Sequence, residues 1–396
     1  MEKVLLLYSG GLDTSVMAKW IQKEMNKKVV TLTLNIGNSN LDEIKEKALA
    51  LGVSDAVVMD VKKEFAEHYI KKEIYADGMY QGYPLSTAIA RPLMASKAVE
   101  VAEEYGCGTI AHGSTGKGND QVRFEVTIKA LNDNINVIAP VRDWNMNRPD
   151  EIKYAKANGI KIPMNGKYSV DENLWGRSAE GSTIENIEKP LENDVYEWVR
   201  PLEETGNGDI IDIQFYNGIP VKLDGVSYSM ESLVEKMNEI AGNNGIGLIN
   251  HMEDRVTGIK SHEVYEVPGA TAILEAHRMI ESLTLNKYEL DMKNYMDMQW
   301  SNFVYNGLWY DPVMEHINSF EESVNKYVNG NIKLKLYKGN IIMQAISSEN
   351  SVYNYEKISY DNSNFNQASA RGFIDIYKNN TVYTSSARKE KLKIIQ

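Results

Sequence analysis

What most limits how this chain can fold is the spacing of short apolar runs over its first 140 residues. Val4-Leu5-Leu6-Leu7, Val29-Val30-Thr31-Leu32-Thr33-Leu34 and Ala56-Val57-Val58-Met59 are continuous runs of the kind a strand needs when both its faces are covered. Between them the apolar residues recur at helical spacing: Val16, Met17, Trp20, Ile21 and Met25 in one interval, Leu41, Ile44, Ala48 and Leu51 in the next, where Gly52 is placed to stop the helix. Pro92 to Tyr105 reads as a further helix, and Thr109-Ile110-Ala111 and Val137-Ile138-Ala139 as further strands. Strands alternating with helices make βαβ units, which build a parallel sheet with helices on both faces.

The pattern changes near Pro163. From there to about Leu202 Gly, Asn, Glu and Ser are frequent and regular runs few. Ile210 to Phe215 then alternates like a half-buried strand, Gly218-Ile219-Pro220 reads as a turn, and Val221-Lys222-Leu223 resumes a strand. Helical periodicity returns at Ser232 to Ile240 and at Ala270 to Leu283. Ile332 to Tyr337 and Asn340 to Ile346 flank Lys338-Gly339 as a second hairpin. The fold class is therefore α/β, with a parallel-sheet region followed by an α+β region. After Ser347 the chain is polar and Asn/Tyr-rich and ends in the basic run Ala387-Arg388-Lys389-Glu390-Lys391. That segment is either a solvated tail or an arm that packs on another subunit.

Charge narrows the partners. A net charge of -12 argues against a binder of nucleic-acid backbones, which needs clustered Lys and Arg, without excluding a local cationic pocket. The apolar run at the N-terminus is too short for a signal segment or a membrane span, so the expectation is a soluble, cytoplasmic protein with no membrane partner. Cys107, the single cysteine, reads as a small buried residue. His68, His112, His251, His262, His277 and His316 lack zinc-ligand spacing, and no protein metal site is expected.

Chemistry enters at Ser9-Gly10-Gly11-Leu12-Asp13-Thr14-Ser15, between the first strand and the first helix. That position is the carboxyl edge of a parallel sheet, where α/β folds bind ligands. Two glycines let backbone N–H groups approach phosphate oxygens, the hydroxyls of Ser9, Thr14 and Ser15 add donors, and the helix N-terminus favours anions. Asp13 would repel phosphate if it pointed inward, so it either caps the helix or reaches a Mg²⁺ held by the phosphates. A capped Gly-Gly turn with no ligand is the bland alternative. The loop is neither GxxxxGK[ST] nor GxGxxG.

A second string, Ala111-His112-Gly113-Ser114-Thr115-Gly116-Lys117-Gly118-Asn119-Asp120-Gln121-Val122-Arg123-Phe124-Glu125, also follows a predicted strand. Thr115, Asn119, Asp120 and Arg123 bring donors, an acceptor, a negative charge and a bidentate cation into a short span. Such a set suits a zwitterionic amino acid, and Lys117 is placed for phosphate. A third string, Tyr80 to Pro92, either lines a substrate pocket through Tyr83, Thr87 and Arg91 or simply starts a helix, with Ser86 or Thr87 as cap and Arg91 as a surface cation. Taken alone it reads as the latter.

SGG-x-D-[ST] resembles the PP-loop of the ATP pyrophosphatase superfamily. YSGGLDTS, YPLSTAIARP, HGSTGKGNDQVRFE, YSVDENLWGRS, GIKSHEVYEVPGAT, ESLTL and FVYNGLWYDP occur in this order, and together they resemble the argininosuccinate synthase family over nearly the whole chain. The resemblance implies a PP-loop nucleotide-binding domain at 1–165, an α+β synthetase domain at 166–346 and a C-terminal oligomerisation arm at 347–396, in a homotetramer. It implies an ATP-dependent ligase of arginine biosynthesis that joins citrulline to aspartate through a citrullyl-adenylate, with Mg²⁺ on the phosphates. It assigns ATP to Leu7, Tyr8, Ser9, Gly10, Gly11, Leu12, Asp13, Thr14, Ser15, Leu34 and Gly113. Aspartate falls to Thr115, Asn119 and Asp120, and citrulline to Tyr83, Asn119, Arg123, Ser169, Ser178, Glu253 and Tyr265. It points to no dedicated acid or base. Departures from the family pattern are Leu34 and Asn38 around the nucleotide strand, Ala88 in place of a Ser, and His262-Glu263 in place of an Arg-Gly pair.

Overall fold

Val4, Leu5, Leu6 and Leu7 split between two cores, and that split shows how the first sheet is covered. Leu5 and Leu7 pack with Ile89 and Leu93 on one side, Val4 and Leu6 with Val16, Met17 and Ile21 on the other. The structure, a computed structural model, describes residues 2–37, 40–144, 146, 148–161 and 167–392. Its parallel sheet contains β1 (Lys3–Leu7), β2 (Lys28–Asn35), β3 (Asp55–Asp60), β4 (Thr109–Ala111) and β5 (Asn136–Ile138), in the order β3-β2-β1-β4-β5. Helices α1 (Leu12–Lys23), α2 (Leu41–Ala50), α3 (Thr87–Tyr105) and α4 (Asp120–Leu131) connect them, and α5 (Pro140–Asp143) and α6 (Arg148–Ala157) follow β5. The βαβ reading holds. Gly52 follows α2 at φ +75°, as the stop signal requires.

One boundary moves. The helix read from Pro92 begins five residues earlier, at Thr87, where the helix-entry reading of the third string put its start, and it carries Pro92 inside it. A Pro there removes the donor for the Ala88 carbonyl, a cost of about 3 kcal/mol in an ordinary helix. Ala88, Ile89, Ala90, Pro92 and Leu93 are all buried, and their burial offsets it.

The second region contains more regular structure than its composition suggested. β6 (Ser169–Asn173) and β7 (Gly176–Glu180) form a hairpin in the stretch read as irregular, while Pro163 and the 165/166 boundary lie outside the described residues. β8 (Asp209–Tyr216) and β9 (Ile219–Leu223) form the expected hairpin, but its turn is Asn217-Gly218, both at positive φ, and Pro220 already lies in the strand. After α7 (Met230–Asn243), strands β10 (Leu248–Asp254) and β11 (Lys260–Glu266) join β7 and β6 in an antiparallel sheet of order β10-β11-β7-β6. Helices α8 (Pro268–Thr284), α9 (Lys287–Tyr305) and α10 (Pro312–Asn325) precede β12 (Gly330–Tyr337) and β13 (Asn340–Ser347), a hairpin that turns at Lys338-Gly339 and joins the sheet through β12, which pairs with β8. Residues 351–396 form a separate compact unit with helices Ala368–Tyr377 and Asn379–Leu392.

Lys293 of α9, the helix that ends in Tyr305, ties together α8, α9 and α10. It is fully buried, and its ammonium lies 2.8 Å from Asp297, 3.0 Å from Glu281, 3.4 Å from Glu321 and 3.5 Å from Asp77. One cation does not neutralise four carboxylates. Burial pushes Glu321 up to about 9 and Asp297 to about 6. Burial also acts to raise Asp77, but Lys293 and His277 outweigh it and hold its carboxyl below the usual range. Asp77, His277 and Glu281 stand close enough to share a metal ion, yet the Lys293 ammonium already supplies the charge between them. Cys107 is buried as expected, and burial pushes its thiol up.

Candidate active site

The strand order reverses at β1, so the loops after β1 and β4 leave the carboxyl edge in opposite directions and open a crevice between them. The first is the Ser9–Ser15 loop. Gly10 turns it at φ +79°, a conformation that favours glycine. Ser15 Oγ donates to the Gly11 carbonyl at 2.7 Å, Ser9 Oγ lies 3.2 Å from Thr14 Oγ1, and the Tyr8 hydroxyl lies 3.1 Å from Ser15 Oγ. The N-cap of α1 is Gly11, and no side chain caps the helix. Its first-turn N–H groups are thus left for a ligand.

Asp13 is not the cap. It interacts with Glu151 of α6, which is buried and whose carboxyl is pushed up to about 8 by that burial and by the Asp13 charge. Leu34, at the end of β2, is nearly buried and pairs with Met59. Gly113 brings the second loop onto the first, since a Cβ there would stand 3.5 Å from Thr14 Cγ2 and 3.4 Å from Met17 Sδ.

The second loop is held by α4, by α5 and by Arg255 and Thr257, both of which donate to the Lys117 carbonyl. Gln121 Nε2 donates to the Gly116 carbonyl at 2.7 Å, and Arg142 of α5 donates to Glu125 at 2.6 Å. Thr115 and Lys117 are exposed at its tip. At its end, where α4 begins, the surroundings become buried and polar. Asn119 Nδ2 donates to Glu253 Oε1 at 3.1 Å and to the Tyr305 hydroxyl at 2.9 Å, and its Oδ1 accepts from the Val256 N–H at 2.8 Å. Glu253, 1% exposed, also accepts from Tyr305 and Tyr265, each at 2.6 Å. Arg123 Nε donates to the Tyr305 carbonyl at 3.0 Å, and the guanidinium lies over the Tyr305 ring at 4.9 Å.

Aromatic pairs wall this cluster. Tyr83 stacks on Tyr265 at 4.0 Å and Tyr80 on Tyr305 at 3.5 Å. The tight turn bearing Tyr80 and Tyr83 is tied to β10 through Gln81, which exchanges two hydrogen bonds with Asp254. Burial first, and the charge of Glu253 next, push the Tyr83 and Tyr305 hydroxyls up, so both stay neutral donors or acceptors at ordinary pH. Antiparallel register places Asp171, Ser178 and Tyr265 side by side across three strands, and Ser169, Glu180 and Glu263 in the next row. Side chains opposite one another share a face, as do those two apart on one strand, so both predicted serines stand on the same face as Tyr265.

Both halves of the match are now explicit. Residues 3–161 match the family profile described as the arginosuccinate synthase N-terminal HUP domain, and residues 168–382 match its C-terminal domain. Full-length relatives agree: an argininosuccinate synthase of Picrophilus torridus is 60% identical over 389 residues, with 98% of each chain covered. Those of Thermoplasma volcanium and Bacillus subtilis are 55% and 43% identical, again with 98% of each chain covered. The chain belongs to the argininosuccinate synthase family. As a member of the argininosuccinate synthase family it is an ATP-dependent ligase.

Within that family its departures can be placed. Ala88 lies buried in the first turn of α3. His262 bridges the Ile184 carbonyl and Asn250 Oδ1, at 2.5 Å each, and Glu263 Oε2 lies 2.7 Å from the Tyr265 hydroxyl, so this pair is built into the site sheet. Asn38 lies outside the described residues.

Arg91 requires a correction. It is not a surface cation but is buried, donating to Asp120 and to Asp171. Ser86 does precede α3, yet its side chain makes no capping bond. Asp171, Tyr80 and Tyr305 also belong to the cluster and are not assigned a role from the sequence, and Glu263, noted there only as a departure from the family pattern, joins them. Tyr305 sits in the quoted FVYNGLWYDP string, but nothing local marks it as facing Asn119.

Proposed function

We propose that this protein joins L-citrulline to L-aspartate, consuming ATP and releasing AMP and pyrophosphate, in arginine biosynthesis. What supports the reading is one juxtaposition: an uncapped helix N-terminus behind a glycine turn, and a buried polar cluster at the start of α4 on the same sheet edge. In this reading Leu7 through Ser15, Leu34 and Gly113 hold ATP. Thr115, Asn119 and Asp120 meet aspartate. Tyr83, Asn119, Arg123, Ser169, Ser178, Glu253 and Tyr265 meet citrulline.

The chemistry follows from the substrates. The ureido oxygen of citrulline attacks the α-phosphorus of ATP, pyrophosphate leaves, and a citrullyl-adenylate forms. The amine of aspartate then attacks the ureido carbon, loses a proton, and AMP leaves with the former ureido oxygen. The protein supplies alignment and charge complementarity rather than a covalent step. Helix N–H groups and the hydroxyls of Ser9, Thr14 and Ser15 meet the phosphates. Arg123 faces a carboxylate, and the tyrosine walls exclude water from the ureido group. The oxygen donors of Asp13 and the loop hydroxyls suit Mg²⁺, which, when bound with the phosphates, neutralises their charge.

The same reading places a nucleotide-binding domain at 1–165, a synthetase domain at 166–346 and an oligomerisation arm at 347–396, in a cytoplasmic homotetramer. Exposed Phe373, Ile374, Ile376 and Tyr377 on the Ala368–Tyr377 helix support the arm, because they offer apolar area for another subunit. Pyrophosphate release tests the activity: it should require ATP and citrulline together and rise further with aspartate. Release from ATP with equal speed in the absence of citrulline would refute it.

A further inference from the structure

Arg91 has no role in the reading above, yet it is among the most constrained side chains of the molecule. Its guanidinium is buried, and Nε donates to Asp120 Oδ2 at 2.9 Å. Its terminal nitrogens reach Asp171 Oδ2 and Met94 Sδ, and the planar group lies over the Phe124 ring at 5.7 Å. Asp120 also accepts from Arg123 at 3.1 Å, so two cations and two carboxylates form one balanced chain, Asp171–Arg91–Asp120–Arg123. The chain crosses between elements. Asp120 and Arg123 open α4, beside Asn119. Asp171 lies on β6, between Ser169 on its own strand and Ser178 on the next.

We propose that Arg91 is a positioning residue: its fork ties the start of α4 to the Ser169–Ser178 face of the site sheet and so sets the width of the amino-acid pocket. A planar guanidinium suits this task, because its donors point in fixed directions toward two carboxylates at once; a lysine ammonium keeps the charge but not the directions. The contact is separable from the fold of the joint. Asn173 Nδ2 donates to the Ser86 carbonyl at 3.1 Å and holds β6 to the start of α3 independently. Asp120 is committed to two guanidinium groups, so its part in aspartate selectivity runs partly through the placement of Arg123.

The inference rests on the proposed citrulline and aspartate site, and its test keeps the two separate. Wild-type protein is first assayed for citrulline-dependent pyrophosphate release, and failure there refutes the function rather than this proposal. Arg91→Lys, Asp171→Asn and the double variant are then compared by steady-state KM and thermal melting. Loss of pocket geometry should raise KM for citrulline and aspartate roughly tenfold or more in Arg91→Lys, with KM for ATP within about twofold of wild type. Asp171→Asn should act in the same direction, several-fold, and the double variant should be no worse than Arg91→Lys alone, because both changes break one link. Asp171 is the more exposed partner, so its variant carries the test if Arg91→Lys does not fold. Unchanged KM values, equal increases for all three substrates, or effects of the two changes that multiply would each overturn the proposal.

Discussion

The proposed phosphate loop and the proposed amino-acid pocket share one sheet edge but are built in opposite ways. Within the loop, side-chain bonds join residues two to seven positions apart, as in Ser9 to Gly11, Ser15 to Gly11 and Tyr8 to Ser15. Within the pocket they join residues 134, 182 and 186 positions apart, as in Asn119 to Glu253, Arg123 to the Tyr305 carbonyl and Asn119 to the Tyr305 hydroxyl. The loop is open, with a helix end no side chain covers, whereas Glu253 and Tyr305 are buried. A local device can be disabled without disturbing the fold; a pocket assembled from distant elements cannot lose a central group without losing stability as well.

That contrast is sharpest at Gly11. Its φ of −78° and ψ of −179° are open to any residue, and a Cβ would meet nothing closer than Ser9 Oγ at 3.4 Å. Gly11→Val should therefore fold with stability within about 1 kcal/mol of wild type, while pyrophosphate release falls by about a hundredfold or more as the side chain fills the phosphate approach. A variant that melts early would break the comparison on the loop side.

Glu253→Ala probes the other side. It removes the acceptor shared by Asn119, Tyr265 and Tyr305. A loss of about 2–4 kcal/mol is expected in denaturant titration, together with loss of activity. An unchanged midpoint would mean that the cluster is not the structural centre described here.

These construction rules also decide what could be read from the sequence. The parallel sheet, the SGG turn and the second glycine loop were legible because each is specified by neighbours in the chain. The role of Arg91 was not: the sequence places it near a helix start, and only the fold brings Asp120 and Asp171 to it. The β6–β7 hairpin escaped notice because its polar residues Asp171, Ser178 and Glu180 face the site rather than solvent, which blurs the alternation of a half-buried strand. Helix α9 did carry a local signal. Asn286 and Glu289 form a capping box at its start, a spacing visible in the sequence. Leu34 and Gly113 came from family resemblance, since neither residue type marks a nucleotide by itself.

The pocket's foundation should show in its pH dependence. Glu321 and Asp297 have folded pKa values of about 9 and about 6, above ordinary carboxyl values, so the folded state holds protons that the unfolded state releases. Their contribution is fully present below the unfolded pKa and is lost as pH rises toward the folded values, so stability should decline from about pH 5 to 9. Glu321→Gln should flatten that decline by about 1–3 kcal/mol, measured by denaturant titration across the range. A variant with the wild-type slope would remove Glu321 from the account. Smaller still is Tyr265→Phe, which deletes one hydroxyl and keeps the stack on Tyr83. About 1 kcal/mol of stability and a few-fold rise in KM for citrulline are expected, with KM for ATP unmoved; a rise confined to ATP would contradict the assignment of Tyr265 to citrulline.

The central claim is that loop and pocket act on one pair of atoms, the α-phosphorus of ATP and the ureido oxygen of citrulline. Citrulline carrying a heavy oxygen isotope in its ureido group tests this directly when the protein turns over with ATP and aspartate and the products are weighed by mass spectrometry. The account predicts that the heavy oxygen appears in the phosphate of AMP, with one label per turnover and none in pyrophosphate. Unlabelled AMP formed alongside argininosuccinate would contradict it.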